Sequence, residues 1–488
     1  MAINKEIVEK EIIKRLKLDN PWWVTREVPE DFSSMTPRPY INDFYEELRN
    51  VNLRRAPILM GPRRVGKTVM LYHSISRLIK DGIDPGKIIF VSLDTPIYNG
   101  IGLEKLMEYG VKAVEENNEV DLGNVEGYYV FFDEVQYLKD WERHLKSLVD
   151  TFRKIKFVAS GSAAAALKMK SNESGAGRFT DFMLPPLTFS EFIELQGLDN
   201  IFFKSGEVPW GEYDTTDIST VNRHFLEYIN FGGYPEVVFS SDVRKRADKY
   251  VKNDIVEKVL MRDLPSLYGI SDTQELNSFF AHIAFRSGNE FSYQNLATDS
   301  GIRKDTIKKY LDYLEAAFLV KVLKRIDQNA KRLERMTTFK IYLTNPLLRS
   351  ALFSPIEEND DAFGEIVETA IVAQWLQGHE ADFYYANWHR GREKGEVDLV
   401  WTNRATQKAC FATEIKWTDR YFENTAELKS LKGFLENNPD LKKTIVTTKT
   451  VWGEKEIAGR KVIFVPASIY AFGVSKMIHK KRESKLYS

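Results

Sequence analysis

A single cysteine, Cys410, stands in a chain of 488 residues. That excludes an internal disulfide framework and any zinc site built on cysteines. Cys410 itself reads as a small buried apolar residue. Long apolar runs are missing as well, none reaching the roughly 18 residues of a membrane span. The first residues, MAINKEIVEKEIIKRLKL, alternate charge with aliphatic side chains instead of forming the apolar core of a signal peptide. The expected compartment is the cytoplasm, with no membrane partner. An excess of one charge sign is also absent: 69 Lys and Arg against 70 Asp and Glu leave a net charge of -1. Affinity for nucleic acid must therefore come from local patches. There is no internal repeat and no low-complexity segment. What is present is 43% hydrophobic and 28% charged residues, the balance of a soluble globular protein. At roughly 150 residues per domain the length suggests about three domains.

Patterning divides the chain. Residues 4–17 read as an amphipathic helix, and NPWWVTREVPEDFSSMTPRPY (20–40) as a Pro-rich connector whose Trp22 and Trp23 pack rather than bind. From 56 to about 190 the short apolar strands APILMG, KIIFVSLD, YYVFFDE and KFVASGS alternate with helical segments. That is the pattern of an α/β domain with a parallel sheet. The expected divisions are an N-terminal helix and linker (1–40), a nucleotide-binding α/β domain (41–190), and a helical lid or connector (191–278). A helix-turn-helix with two strands (279–350), a further α/β domain (351–475) and a fraying basic tail (476–488) follow.

Gly61-Pro62-Arg63-Arg64-Val65-Gly66-Lys67-Thr68 fits G-x-x-x-x-G-K-[ST] in full, after an apolar strand and before a helical pattern. Glycines let backbone N–H groups turn inward around phosphate oxygens, and the helix N-terminus favours the same anion. ATP contacts are expected from Gly61 through Val69. Lys67 reaches the β- and γ-phosphates, and Thr68 ligates Mg2+. The strand YYVFFDE ends in Asp133 and Glu134. Asp133 is placed beside the magnesium, and Glu134 polarises the attacking water as a general base. Ser160 and Ser162 in ASGS are either polar sensors of the γ-phosphate or simple turn residues. Arg178, in a glycine-rich loop, is either a transition-state arginine, from the same chain or a neighbour, or a solvated loop residue.

GPRRVGKT, FFDEVQ, ASGS, AGRF…LPPLTFSEF and GGYPE, in this order, resemble a family of bacterial and archaeal AAA-type ATPases that carry a C-terminal domain of unknown function. The resemblance covers nearly the whole chain. It implies an ATP site from Gly61 to Thr68 with Asp133, and Glu134 as the base.

From Phe291, FSYQNLATDSGIRKDTIKKYLDYLEAAFLVKVLKRI reads as two helices around a turn at Gly301, then two strands, which together make a winged form. Arg303, Lys304, Lys308 and Lys309 lie early on the second helix, the one that enters a major groove in such modules. Residues 303–340 hold eleven Lys or Arg against five Asp or Glu, a surplus suited to phosphate contacts. A protein-interaction module is the alternative.

The helix DDAFGEIVETAIVAQWLQ is followed by the strands GEVDLVW and TEIKW. Glu414 and Lys416, two apart, share one side of a strand. With Asp398 on a neighbouring strand, two carboxylates can hold one magnesium while the lysine orients water or neutralises phosphate charge. This set resembles the PD-(D/E)xK nuclease fold, which implies a further acid at Glu368, four residues after Gly364. The proline expected before the first acid is replaced by Val397. The alternative is a charged hairpin, or a fold that binds DNA without cutting it.

The fold expected is thus α/β: a P-loop AAA-type ATPase domain with parallel sheet and helical lid, then a winged helix, then a restriction-endonuclease-like domain. The function expected is ATP hydrolysis coupled to DNA. The rivals are a nucleotide-controlled protein-interaction ATPase with a non-cleaving C-terminal domain, and an ATP-gated, magnesium-dependent nuclease. The oligomeric state stays open.

Overall fold

The computed structural model describes all residues except 1, 116–120, 163–176, 205–211, 332–337, 378–381, 391–392, 404 and 486–488. The chain forms two compact units, Met1–Pro185 (with Arg482–Ser488) and Pro186–Lys481. Among the described residues no helix is long and apolar enough to cross a membrane.

In the first unit, β1 (Ala56–Met60), β2 (Ile88–Ser92), β3 (Tyr129–Asp133), β4 (Lys156–Gly161) and β5 (Phe179–Met183) form one parallel sheet in the order β2-β3-β4-β1-β5. Ile58, Leu59, Val130, Phe131 and Val158 are buried, as near-continuous apolar strands covered on both faces must be. Helices Lys67–Lys80, Leu103–Glu115 and Trp141–Thr151 link them. Segment 20–40 is part of this unit rather than a connector. The Asn20 amide donates to the Phe90 carbonyl at 2.9 Å and accepts from the Phe90 N–H at 2.6 Å, which closes part of the exposed edge of β2. The indoles of Trp22 and Trp23 both donate to the Ile88 carbonyl. These tryptophans pack, as expected.

The second unit holds a two-stranded ribbon, β6 (Phe203–Lys204) with β7 (Tyr213–Asp214), and a nine-stranded sheet. The strands of the sheet are β8 (Glu290–Ser292), β9 (Val320–Ile326), β10 (Thr338–Leu343), β11 (Asp382–Arg390), β12 (Glu393–Thr402), β13 (Ala409–Glu414), β14 (Lys443–Thr448), β15 (Gly453–Ile457) and β16 (Arg460–Pro466). Their order is β15-β16-β14-β13-β12-β11-β9-β10-β8.

Three expected divisions look different here. Residues 279–350 and 351–475 share this sheet, because β9 pairs in parallel with β11 through Lys324–Ile326 and Tyr384–Ala386. The segment expected as a lid shares a core with the C-terminal part: Phe192, Ile193, Phe225 and Tyr228 join Ile371, Trp375, Tyr470 and Phe472. The expected basic tail begins inside a helix, Ala467–Lys485, where Met477 and Ile478 are buried. In each case burial against distant partners overrides local composition. FGGYPE breaks the helix Ile218–Phe231 where space demands glycine: a Cβ on Gly233 would lie 2.3 Å from the Asn345 side chain.

Candidate functional site

The phosphate loop joins the end of β1 to helix Lys67–Lys80. A Cβ on Gly61 would meet the Leu184 carbonyl oxygen at 2.1 Å, so backbone occupies the space a side chain would need. Gly66, at φ 93°, turns the chain into the helix with a left-handed conformation that glycine adopts without penalty. The Lys67 ammonium arches back over the loop, donating to the carbonyls of Gly61 (3.2 Å) and Pro62 (2.8 Å). Val65 is buried, Arg63 and Val69 are half-buried, and Arg64 is exposed with φ 64°.

Strand order assembles the rest. Since β4 lies between β1 and β3, its end delivers Ser160 between the loop and Asp133. The Thr68 hydroxyl donates to Asp133 Oδ2 at 2.8 Å, and the Ser160 hydroxyl donates to Asp133 Oδ1. Burial, then the neighbouring Glu134 charge, pushes the Asp133 carboxyl up to about 6 against those hydrogen bonds. Glu134 takes a left-handed conformation (φ 56°), and its N–H donates to Asp133 Oδ1 at 3.1 Å. The Gln136 amide donates to the Glu134 carboxylate and accepts from the Ser162 N–H at 3.1 Å, tying Glu134 to the end of β4. The buried Ser162 hydroxyl has no hydrogen-bond partner.

Arg178 is not brought to this site. It precedes β5, whose parallel register pairs Ala56 with Phe179 and Met60 with Met183. Arg178 therefore lies at the end of the sheet opposite the phosphate loop, where it pairs with Asp150 on the surface. The same-chain transition-state role is incompatible with that placement. The rest of the glycine-rich loop, up to Ala176, lies outside the described residues. Sequence reading missed Arg38, which is buried and donates to the carbonyls of Val65 (3.1 Å) and Pro185 (2.8 Å). It ties the phosphate loop to the segment after β5.

In the second unit the four C-terminal residues converge. At β12 the pairing with β11 slips, Tyr384 facing Val400 but Ala386 facing Val397. The extra residue is a bulge, a device that re-aims side chains, and Asp398 sits in it. Asp398 Oδ2 accepts from the Ile415 N–H at 2.7 Å and from Lys416 Nζ at 3.3 Å. Lys416 also lies 2.9 Å from Glu414 Oε1. A second lysine, unexpected from the sequence, completes the cluster. Lys340 Nζ, from β10, lies 2.9 Å from Glu368 Oε1, 2.7 Å from Glu396 Oε1 and 3.8 Å from Asp398 Oδ1. The signal for it was a lysine inside the apolar run FKIYL.

Burial and the Asp398 charge push the Glu414 carboxyl up to about 7, against Lys416. Burial also raises Glu368, with Lys340 opposing. For Asp398 burial acts upward, but Lys416, Lys340 and the Ile415 N–H outweigh it and hold the carboxyl low. Among the described residues no three His, Cys, Asp or Glu stand at metal-holding spacing as they are, since ammonium groups bridge the carboxylates. Nevertheless four carboxylates face two ammoniums, and the buried Glu414 Oε2 has no hydrogen-bond partner. Hard oxygen donors that outnumber the ammoniums fit a divalent ion such as magnesium. Arg303, Lys304, Lys308 and Lys309 are all exposed on and just before helix Lys304–Ala316.

Residues 53–193 match the family model of the AAA domain, and residues 222–359 that of a domain of unknown function (DUF8612). The first match takes in the whole nucleotide site, so that part of the chain is of AAA type, an α/β fold on a parallel sheet. Over most of its length the chain is similar to an uncharacterized protein of Haemophilus influenzae, 23% identical over 419 residues that cover 84% of this chain and 92% of that one. It is similar to the uncharacterized protein MJ1544 of Methanocaldococcus jannaschii, 22% identical over 408 residues, with 81% and 83% covered. Among solved structures it is similar to the ORC2 protein of Aeropyrum pernix, at 13% identity, 70% of this chain and 94% of that one covered, and a TM-score of 0.38.

Proposed function

We propose that this chain is an ATP-hydrolysing AAA-type enzyme that works on or with DNA. The observation that carries the ATPase reading is the contact of Thr68 with Asp133, backed by Ser160, at the mouth of a complete phosphate loop. Thr68 and Asp133 would hold Mg2+, which when bound supplies charge neutralisation at the phosphate oxygens. Lys67 leaves the Gly61 and Pro62 carbonyls for the β- and γ-phosphates. Backbone N–H groups from Arg63 to Thr68 orient the anion. Glu134, held by Gln136, takes a proton from the attacking water. Phosphate release by the full chain in MgATP tests this: Lys67→Ala should abolish it, and retention of turnover would sink the reading.

The DNA reading rests on the second unit. β8, helix Tyr293–Ser300, helix Lys304–Ala316 and the β9–β10 hairpin follow in the order of a winged helix, with β10 pairing both β8 and β9. The exposed basic residues face solvent on the second of those helices. The convergence of Glu368, Asp398, Glu414 and Lys416 supports a nuclease-like metal site beside it. Glu368, Asp398 and Glu414 would hold the ion, and Lys416 would neutralise developing phosphate charge. Duplex binding measured against salt is the test. Counterion release predicts a steep loss of affinity with salt, whereas a protein-binding module shows none at any salt.

A further inference from the structure

Lys340 is 3% exposed, yet it carries a charge in the middle of β10. Its ammonium lies 2.9 Å from Glu368, 2.7 Å from Glu396 and 3.8 Å from Asp398. The Tyr342 hydroxyl, two residues on, donates at 2.5 Å to the same Glu368 oxygen that accepts from Lys340. The two ammoniums of the cluster divide its acids between them. Lys416 serves Glu414 and Asp398 Oδ2, while Lys340 serves Glu368, Glu396 and Asp398 Oδ1. Asp398 is the shared member.

We infer that Lys340 is a resident cation of the carboxylate site, holding Glu368 and Asp398 where a second metal ion would otherwise be needed, and that it limits how tightly the site binds a divalent ion. The inference rests on the metal reading proposed above. An ion held by Asp398 and Glu414 shares Asp398 with the Lys340 ammonium. The two cations repel in surroundings that exclude most water and salt, where charge interactions are screened far less than on the surface. Lys340 acts through the carboxylates and is a positioning residue. It also arrives on a strand paired with β8, which leads into the helix-turn-helix, so the two candidate DNA-facing features share a strand.

The test is calorimetric titration of the full chain with Mn2+ in magnesium-free buffer, counting only heat that Asp398→Asn abolishes. Lys340→Met should bind Mn2+ about tenfold or more tightly than wild type, and Lys340→Arg, which keeps the charge, should stay within about threefold. Removing one partner of a buried ion pair can unfold a protein. The same step is therefore also taken in a Glu396→Gln background, where one fewer carboxylate is left unpaired, and the same gain relative to Glu396→Gln alone is expected. If wild type binds Mn2+ and the folded Lys340→Met chain binds it equally or more weakly, the Lys340 inference falls and the metal reading stands. If wild type binds none but Lys340→Met does, the inference holds and the metal reading of the native site falls. If neither binds, both fall.

Discussion

The two units each build a lysine and carboxylate site, by opposite means. In the first, the phosphate loop is one run of residues and its lysine is held by backbone carbonyls. The single buried acid at its centre, Asp133, is surrounded by hydroxyl and N–H donors. In the second, six charged side chains from β10, helix Phe363–Trp375, β12, β13 and the residues just after it are held mostly by one another. The first is a backbone cradle built from one contiguous run of residues. The second is a cluster of four carboxyl groups that already contains two ammoniums as counter-charge. Preorganised dipoles suit catalysis on a charged substrate.

The largest effect is expected at the cradle. Lys67→Ala should lower ATP turnover by about a hundredfold or more, since positioning and charge stabilisation are nearly all the catalysis. Phosphate-release assays check it. Next comes the cluster. The Glu414 carboxyl stands at about 7 in the folded chain, so the fold keeps a proton that the unfolded chain has already lost above its ordinary range near 4.5. Its contribution to stability therefore falls as pH rises from about 4.5 to about 7, by at most about 3 kcal/mol. In chelator, Glu414→Gln should gain stability over wild type on going from pH 5 to pH 8. Denaturant melts showing a constant difference between the two would mean the carboxylate is ionised throughout.

Smaller changes are expected at the surface. Replacing Arg303, Lys304, Lys308 and Lys309 by Ala one at a time should weaken duplex binding similarly for all sequences. Each loss should lower the salt slope by about one per phosphate contact. Fluorescence anisotropy across a salt series measures both. Smallest of all, Arg178→Ala should leave turnover within about threefold, because an exposed surface pair contributes little. A thousandfold loss would place the residue in catalysis after all.

The cradle was legible because its parts are contiguous and its backbone needs show as Gly61, Gly66 and the run VFFDE. Asp398 and Glu414 were legible as acids on neighbouring strands, while Lys416, expected on the same strand as Glu414, lies just beyond the end of β13. The place of Arg178 was left open by the sequence because a loop's place depends on register, and β5 starts at the far end of β1. Lys340, Glu396 and Arg38 went unseen for a related reason. Each acts through a partner far along the chain, and nothing in local spacing announces a parallel pairing such as β9 with β11. The bulge at Asp398 is equally silent in sequence. The joined sheet also explains why the divisions expected at 278 and 350 do not correspond to separate bodies.

The most direct test of the central claim, that the phosphate-loop cradle is a working ATPase site, is Glu134→Gln assayed in parallel for binding of a fluorescent ATP analogue and for phosphate release. Binding should stay within a few-fold of wild type while turnover falls by about a hundredfold or more, since removing a general base costs about that much. Turnover close to wild type in a chain that still binds nucleotide would contradict the claim.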